Sequence, residues 1–330
     1  MKILFDLRNT GLGNNGGSSS LINSANTLCD MGHTGIIIDS GRNQHTWTSL
    51  NAAHMIVKND SQLPDADAII ATGYKSVEPT VLAPSRCGIK MHWIRGLETW
   101  TMGENDIINK VLNQPTIKLV NGIQLQRKLQ SFGFSSYLIR PGYDIHLFFS
   151  KNIRYRTKSI IIGGLYHSGS KSDRKRTEWI YAATNQLKST YPNIKLLMFG
   201  PDSDPKTSQI YKYYKSPDIR TKNEIYNTIH IWLAPTTLEG LHMPPAEAML
   251  TECFVLGTKS ELSGMEDYLI DGETGCVSEN DFDSFVEKLD YYIQNEDLRK
   301  EIGVKARNKI IELGDRKTNM EHLIKLISSF

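Results

Sequence analysis

The chain has 330 residues, more than the roughly 100 to 200 usual for one domain, so two domains of about 150 residues each are expected. With 39% hydrophobic and 22% charged residues it is neither disordered nor fibrous, and 38 Lys plus Arg against 36 Asp plus Glu leave a formal charge of only +2. That balance gives no overall pull towards nucleic acid or a membrane.

No apolar run approaches the ~20 residues needed to span a bilayer. Met1 to Arg8 reaches charged residues after only three consecutive apolar ones, too few for a signal peptide. Cys29, Cys87, Cys253 and Cys276 show neither Cys-x-x-Cys nor zinc-type spacing, which fits free thiols in a reducing compartment. A cytoplasmic location is expected, peripheral at a membrane if a basic surface docks the protein there.

The first half alternates short apolar runs with longer mixed segments, the pattern of β-α units around a parallel sheet. Strands are expected at Ile3 to Leu7, Gly35 to Asp39, Ala68 to Ala71, Gly88 to Trp93, Ile117 to Val120 and Ser136 to Ile139, with a helix from Ser18 to Met31. Gly16 and Gly17 precede that helix and lack a Cβ, so a substrate can approach their backbone closely. Pro141 to Lys158 loses periodicity and reads as the linker. The domains are therefore expected at 1–150 and 151–314.

The second half repeats the alternation. Strands at Ile160 to Ile162, Lys195 to Phe199 and Ile229 to Leu233 interleave with helices at Thr177 to Ser189 and Lys222 to Thr228, and helices at Phe282 to Asn295, Glu296 to Leu313 and Lys317 to Ser328 follow. After the strand ending in Ala234, Pro235 and Gly240 mark a loop, and Pro244-Pro245 pre-set a helix start. Glu239 then lies in the loop and Glu247 in the first turn of the helix. Free amides at that helix start suit a pyrophosphate, and two carboxylates beside it suit the paired hydroxyls of a ribose and a second sugar. Taken alone, Glu247 also reads as a dipole-favoured acid and Glu239 as a solvated one.

The Glu-x7-Glu element, Val255-Leu256-Gly257-Thr258, Ser263-Gly264 and Asp267 to Val277 resemble the retaining glycosyltransferases of family GT4. Gly16-Gly17, Gly32-His33, Ile139 to Asp144 and Ile160 to Gly164 fit the same family in order and spacing. The resemblance implies the α/β GT-B fold, two Rossmann-like α/β/α domains facing each other across a cleft, with helix 315–330 returning to the first. It implies a nucleotide-sugar donor, a glycan or lipid-linked acceptor, and neither a cofactor nor an essential metal.

The resemblance also implies roles for individual residues. Glu239 and His92 carry the catalytic assignment, His92 near the donor sugar. Donor contacts fall to Gly16, Gly17, Gly164, Lys175, Arg176, Ile219 near the nucleobase, Gly240, Leu241 and Glu247. Family members commonly place an arginine where Leu165 stands here, so either a second cation comes from Arg174 or Arg176 in the run Ser170 to Arg176 or the diphosphate clamp is weaker. His92 and Trp93 also read as core residues of the first domain. Asp65-Ala66-Asp67, Asp202-Ser203-Asp204 and Asp281-Phe282-Asp283 sit at turns or element boundaries, where aspartate caps are common.

Two alternatives remain open. Arg86, Lys90, Arg95, Lys151, Arg154 and Arg156 would have to line the site if the acceptor were a hydroxymethylated base in DNA. Gly11-Leu12-Gly13-Asn14-Asn15-Gly16 matches a dinucleotide fingerprint, which would make the chain an NAD(P)-dependent oxidoreductase with Asp39 as the ribose acid.

Overall fold

Near-continuous apolar runs such as Ile36-Ile37-Ile38 and Leu196 to Phe199 become parallel strands covered on both faces, as their lack of polar alternation requires. A computed structural model describes residues 1–13, 15–41, 48–169 and 174–330. By internal contacts the chain divides into one unit of residues 1–142 with 314–330 and a second of residues 143–313.

The first unit contains β1 (Lys2–Asp6), α1 (Gly16–Asp30), β2 (Thr34–Asp39), β3 (Ala53–Ile56), β4 (Ala68–Ala71), α2 (Tyr74–Leu82), β5 (Ile89–Ile94), β6 (Ile117–Val120), α3 (Ile123–Ser131) and β7 (Tyr137–Leu138). Its sheet runs β3-β2-β1-β4-β5-β6-β7 with every neighbouring pair parallel. The winding direction therefore reverses between β1 and β4.

The second unit contains β8 (Ile160–Leu165), α4 (Thr177–Leu187), β9 (Ile194–Gly200), β10 (Lys212–Lys215), α5 (Ile219–Thr228), β11 (Ile231–Ala234), α6 (Met243–Leu250), β12 (Phe254–Thr258), β13 (Cys276–Ser278), α7 (Phe282–Gln294) and α8 (Glu296–Glu312). Its order, β10-β9-β8-β11-β12-β13, is again all parallel, with the reversal between β8 and β11. Both sheets thus contain the doubly wound 3-2-1-4-5-6 order.

The last helix, α9 (Arg316–Ile327), belongs to the first unit, where Met320, Leu323 and Ile327 share a core with Leu21 and Leu28 of α1 and Phe5 of β1. The boundary expected at 150 falls at Gly142. Beyond it, Tyr143 and Phe148 are buried in the second unit's core. Arg154, also buried, donates to the Tyr226 and Thr251 carbonyls at 3.0 Å and to those of Ile229 and Glu252. Its guanidinium caps the carbonyl ends of α5 and α6, so the polar stretch read as a linker is part of the second unit.

Candidate active site

In open α/β sheets the crevice for a ligand opens outside the carboxyl ends of the strands where the order reverses. In the second unit those ends are Leu165 of β8 and Ala234 of β11. The segment after β11 is pinned to its neighbours: Glu239 N–H donates to the Leu262 carbonyl at 2.6 Å, and His242 N–H to that of Gly264 at 2.9 Å. The Tyr268 hydroxyl donates to the His242 carbonyl. Gly264 has φ +72°, and a Cβ there would stand 2.8 Å from Glu239 Cβ and 2.9 Å from His242 N. Only glycine permits that backbone and that approach.

Held this way, Glu239 forms an ion pair with Lys175, their side chains 22% and 13% exposed. Lys175 Nζ also lies 3.3 Å from His242 Nε2. His242 is 3% exposed. Burial, followed by the positive charge of Lys175 and then His167, pushes its pKa well below the ordinary histidine value, so the ring is neutral. The carboxylate, ammonium and imidazole form one cluster beyond the carboxyl ends of β8 and β11.

Glu247 stands in a second cluster. Its Oε2 accepts the Tyr226 hydroxyl at 2.8 Å, and Lys222 Nζ is 3.8 Å away. Lys222 and Tyr226 are one turn apart on α5, which brings both to the same carboxylate. Desolvation, and then the Glu247 charge, raises the Tyr226 pKa well above the ordinary value, so the phenol stays a donor. With one lone pair taken by Tyr226, Glu247 keeps acceptor capacity for a ligand's hydroxyls.

Several expectations change at this level. The helix α6 begins at Met243 with His242 as its N-cap, which places Glu247 in the second turn. The amides expected to cradle a pyrophosphate are largely missing: Pro244 and Pro245 have no N–H, and that of His242 is bonded to Gly264. Only Met243 remains of the four orphan donors.

Arg176 does not join Lys175. Its backbone is left-handed (φ 50°, ψ 47°) and its guanidinium lies 4.1 Å from the centre of the Trp179 ring, which packs on Phe282 and Phe285. Ser170, Lys171, Ser172 and Asp173 lie outside the described residues. Gly164 is inside β8, where a Cβ would meet Ile180 Cδ1 at 2.6 Å, so its small size serves strand-to-helix packing. Leu241 is buried in the core beside Tyr268 and Met249, whereas Ile219 opens α5 and is 38% exposed. Gly240 is buried between Glu239 and Leu241.

In the first unit Gly16 and Gly17 are the first two residues of α1, two positions earlier than expected, because Asn15 caps the helix by accepting the Ser18 N–H at 2.9 Å. Nothing lies within 4 Å of a Cβ built on Gly16. Asn14, within the glycine fingerprint, lies outside the described residues. His92 is buried inside β5, opposite Ala71 and Lys118, and burial followed by the Lys118 charge lowers its pKa to about 3. It is neutral, with Nδ1 unpartnered.

Among the described residues no group of three or more His, Cys, Asp or Glu could hold a metal ion, and no helix is long and apolar enough to cross a membrane. Of the Asp-x-Asp aspartates, Asp67 accepts Lys2 N–H at 2.6 Å and Asp281 caps α7 through Ser284 N–H at 2.7 Å.

His242, Tyr226 and Lys222 contact the candidate residues Lys175 and Glu247 but were passed over by motif reading. His242 lies inside the Glu-x7-Glu element, and the Lys222–Tyr226 spacing on a helix directly before β11 was the available signal.

Residues 164–309 match the model of the family described as glycosyl transferases group 1. A stretch of 128 residues is 30% identical to the capsular polysaccharide biosynthesis glycosyltransferase CapM of Staphylococcus aureus, covering 36% of this chain and 33% of CapM. The chain thus spans about a third of that relative's length. The fold is similar to that of HepE of Anabaena, solved in complex with UDP-glucose, with a TM-score of 0.81, 14% identity and full coverage of both chains. It is also similar to that of sucrose-phosphate synthase from Thermosynechococcus elongatus, with a TM-score of 0.74 and 13% identity over 99% of this chain and 98% of the other. The chain has the GT-B fold, and within it residues 164–309 carry the match to the group 1 glycosyl transferase model.

Proposed function

We propose that the chain is a retaining glycosyltransferase that takes a sugar from a nucleotide-sugar donor, with the second unit holding the donor. The observation that carries this reading is the pair of carboxylates at the β8/β11 reversal, each already in contact with a cation: Glu239 with Lys175 and Glu247 with Lys222. Lys175 meets the diphosphate, Glu247 accepts from the ribose hydroxyls, and Glu239 accepts from hydroxyls of the donor sugar. With a single helix amide left at the start of α6, the diphosphate relies on side-chain charge.

Transfer breaks the bond between the sugar's anomeric carbon and the departing phosphate oxygen and forms one to the acceptor oxygen on the same face. The acceptor's proton passes to the departing phosphate oxygen. No side chain acts as a nucleophile. Lys175 stabilises the charge that develops on the diphosphate, where a fixed cation contributes most to rate, and no metal is assigned a role. His92 is assigned to the donor sugar by the family resemblance alone; within its own unit it is buried and neutral. The acceptor is a surface polysaccharide or glycan precursor, a reading supported by the similarity to CapM.

A thermal-shift and mass-spectrometry screen against UDP, GDP, ADP, TDP, their common sugar conjugates, NAD and NADP tests this. Stabilisation by one nucleoside diphosphate, with slow hydrolysis of its sugar conjugate, is the expected outcome. Stabilisation by NAD or NADP alone would overturn it.

A further inference from the structure

We infer that His242 is a positioning residue of the donor site, whose neutral imidazole holds the Lys175 ammonium on Nε2 while Glu239 is the partner that a donor displaces. The inference rests on the donor reading above and adds a residue and an order of events to it.

An ammonium has only donors, so the ring nitrogen 3.3 Å from Lys175 Nζ must present its lone pair. The proton then sits on Nδ1, which is buried without a partner. The ring has little freedom to turn away: its residue is 3% exposed, its N–H is bonded to Gly264 and its carbonyl to Tyr268. Rigid burial of a neutral acceptor fixes where a lysine at the end of a flexible stem can place its charge.

The other partner of Lys175 differs in kind. Glu239 retains access to solvent, and its carboxylate can exchange the ammonium for sugar hydroxyls. When a diphosphate arrives, Lys175 can turn its remaining protons to the phosphate oxygens while staying on His242. Glu239 is thereby released for the sugar. The groups that act on this ring are Lys175, Glu239 through Lys175, and His167.

The test has two arms. In ligand-free protein, ¹⁵N NMR of the histidines reads the tautomer: His242 should remain the Nδ1–H form from pH 5.5 to 8, and its Nε2 resonance should move in K175A. An Nε2–H tautomer, or no response to K175A, overturns the inference whether or not a donor binds. In the second arm, calorimetry measures the tightest-binding member of the set UDP, GDP, ADP and TDP. H242A should weaken it about tenfold in the native background and not at all in K175A, and H242Q, whose amide oxygen can accept the same ammonium, should restore most of it. An equal loss in both backgrounds, or none in either, contradicts the positioning role. Failure of all four diphosphates to bind the native protein would instead count against the donor reading and leave the tautomer arm to decide this one.

Discussion

At the same place in the fold, the reversal of strand order, the two units use charge in opposite ways. In the first unit, Asp6 ends β1 and is fully buried. Arg8 donates to it through Nε at 3.0 and 3.1 Å and through Nη2 at 2.7 Å, and reaches the Pro79 carbonyl at 2.8 Å and the Asp60 carboxylate. Thr80 Oγ1 adds a further bond to Asp6 at 2.9 Å. Both oxygens of Asp6 and all three guanidinium nitrogens of Arg8 have partners within the fold. In the second unit, Lys175, Glu239 and Glu247 keep part of their surface exposed, and their contacts leave lone pairs and protons over. A satisfied buried pair orders loops, whereas a partly exposed pair with spare capacity can exchange partners with a ligand.

The contrast can be broken first by removing one side of the buried pair. R8A should destabilise the first unit by about 3–5 kcal/mol, because Asp6 is left buried and uncompensated. Urea denaturation checks it, and a loss below about 1 kcal/mol would show that the pair does not order the unit.

Acid should sharpen the contrast in the other direction. His230 and His242 in the second unit, and His92 in the first, are buried with pKa values lowered below 6.5, to about 3 for His92 and His230, in each case chiefly by desolvation. Below pH 6.5 the unfolded chain takes up protons that the folded chain refuses. Their stability is therefore intact above pH 6.5 and lost as pH falls towards 3, at up to about 1.4 kcal/mol per pH unit for each histidine. Denaturation at pH 7 and 5.5 should show the decline, steeper for the second unit if the two unfold separately. A stability independent of pH over that range would contradict the buried neutral assignments.

The smallest change concerns Tyr226. Y226F removes one hydrogen bond to Glu247 and should weaken the nucleoside diphosphate by about five- to tenfold, with less effect on its 2′-deoxy analogue. Equal losses for both would separate Tyr226 from ribose recognition.

What could be read from sequence follows the same division. Central strands such as Ile36 to Asp39 and Leu196 to Phe199 declared themselves because both faces are covered. The edge strands β3 (Ala53-His54-Met55-Ile56) and β10 (Lys212-Tyr213-Tyr214-Lys215) carry polar residues and lacked that signal. Glu239 and Glu247 stood out at the loop-to-helix junction and Lys175 through the family resemblance, and the structure sets Lys175 against Glu239. Which side chains complete the site was not legible, because it depends on tertiary approach: the Gly264 turn against Glu239 and His242, and α5 against α6. Arg176 was misplaced for the same reason, since its left-handed backbone and stacking on Trp179 are not encoded by a charge run.

The central claim is that Glu239 works on the donor sugar and supports no core. The most direct test measures E239Q against the native protein for sugar transfer or hydrolysis, nucleoside diphosphate affinity and melting temperature. Turnover should fall about a hundredfold or more, while melting is unchanged and the diphosphate binds as tightly or more tightly, since Lys175 loses a competing partner. Normal turnover by E239Q would contradict the account.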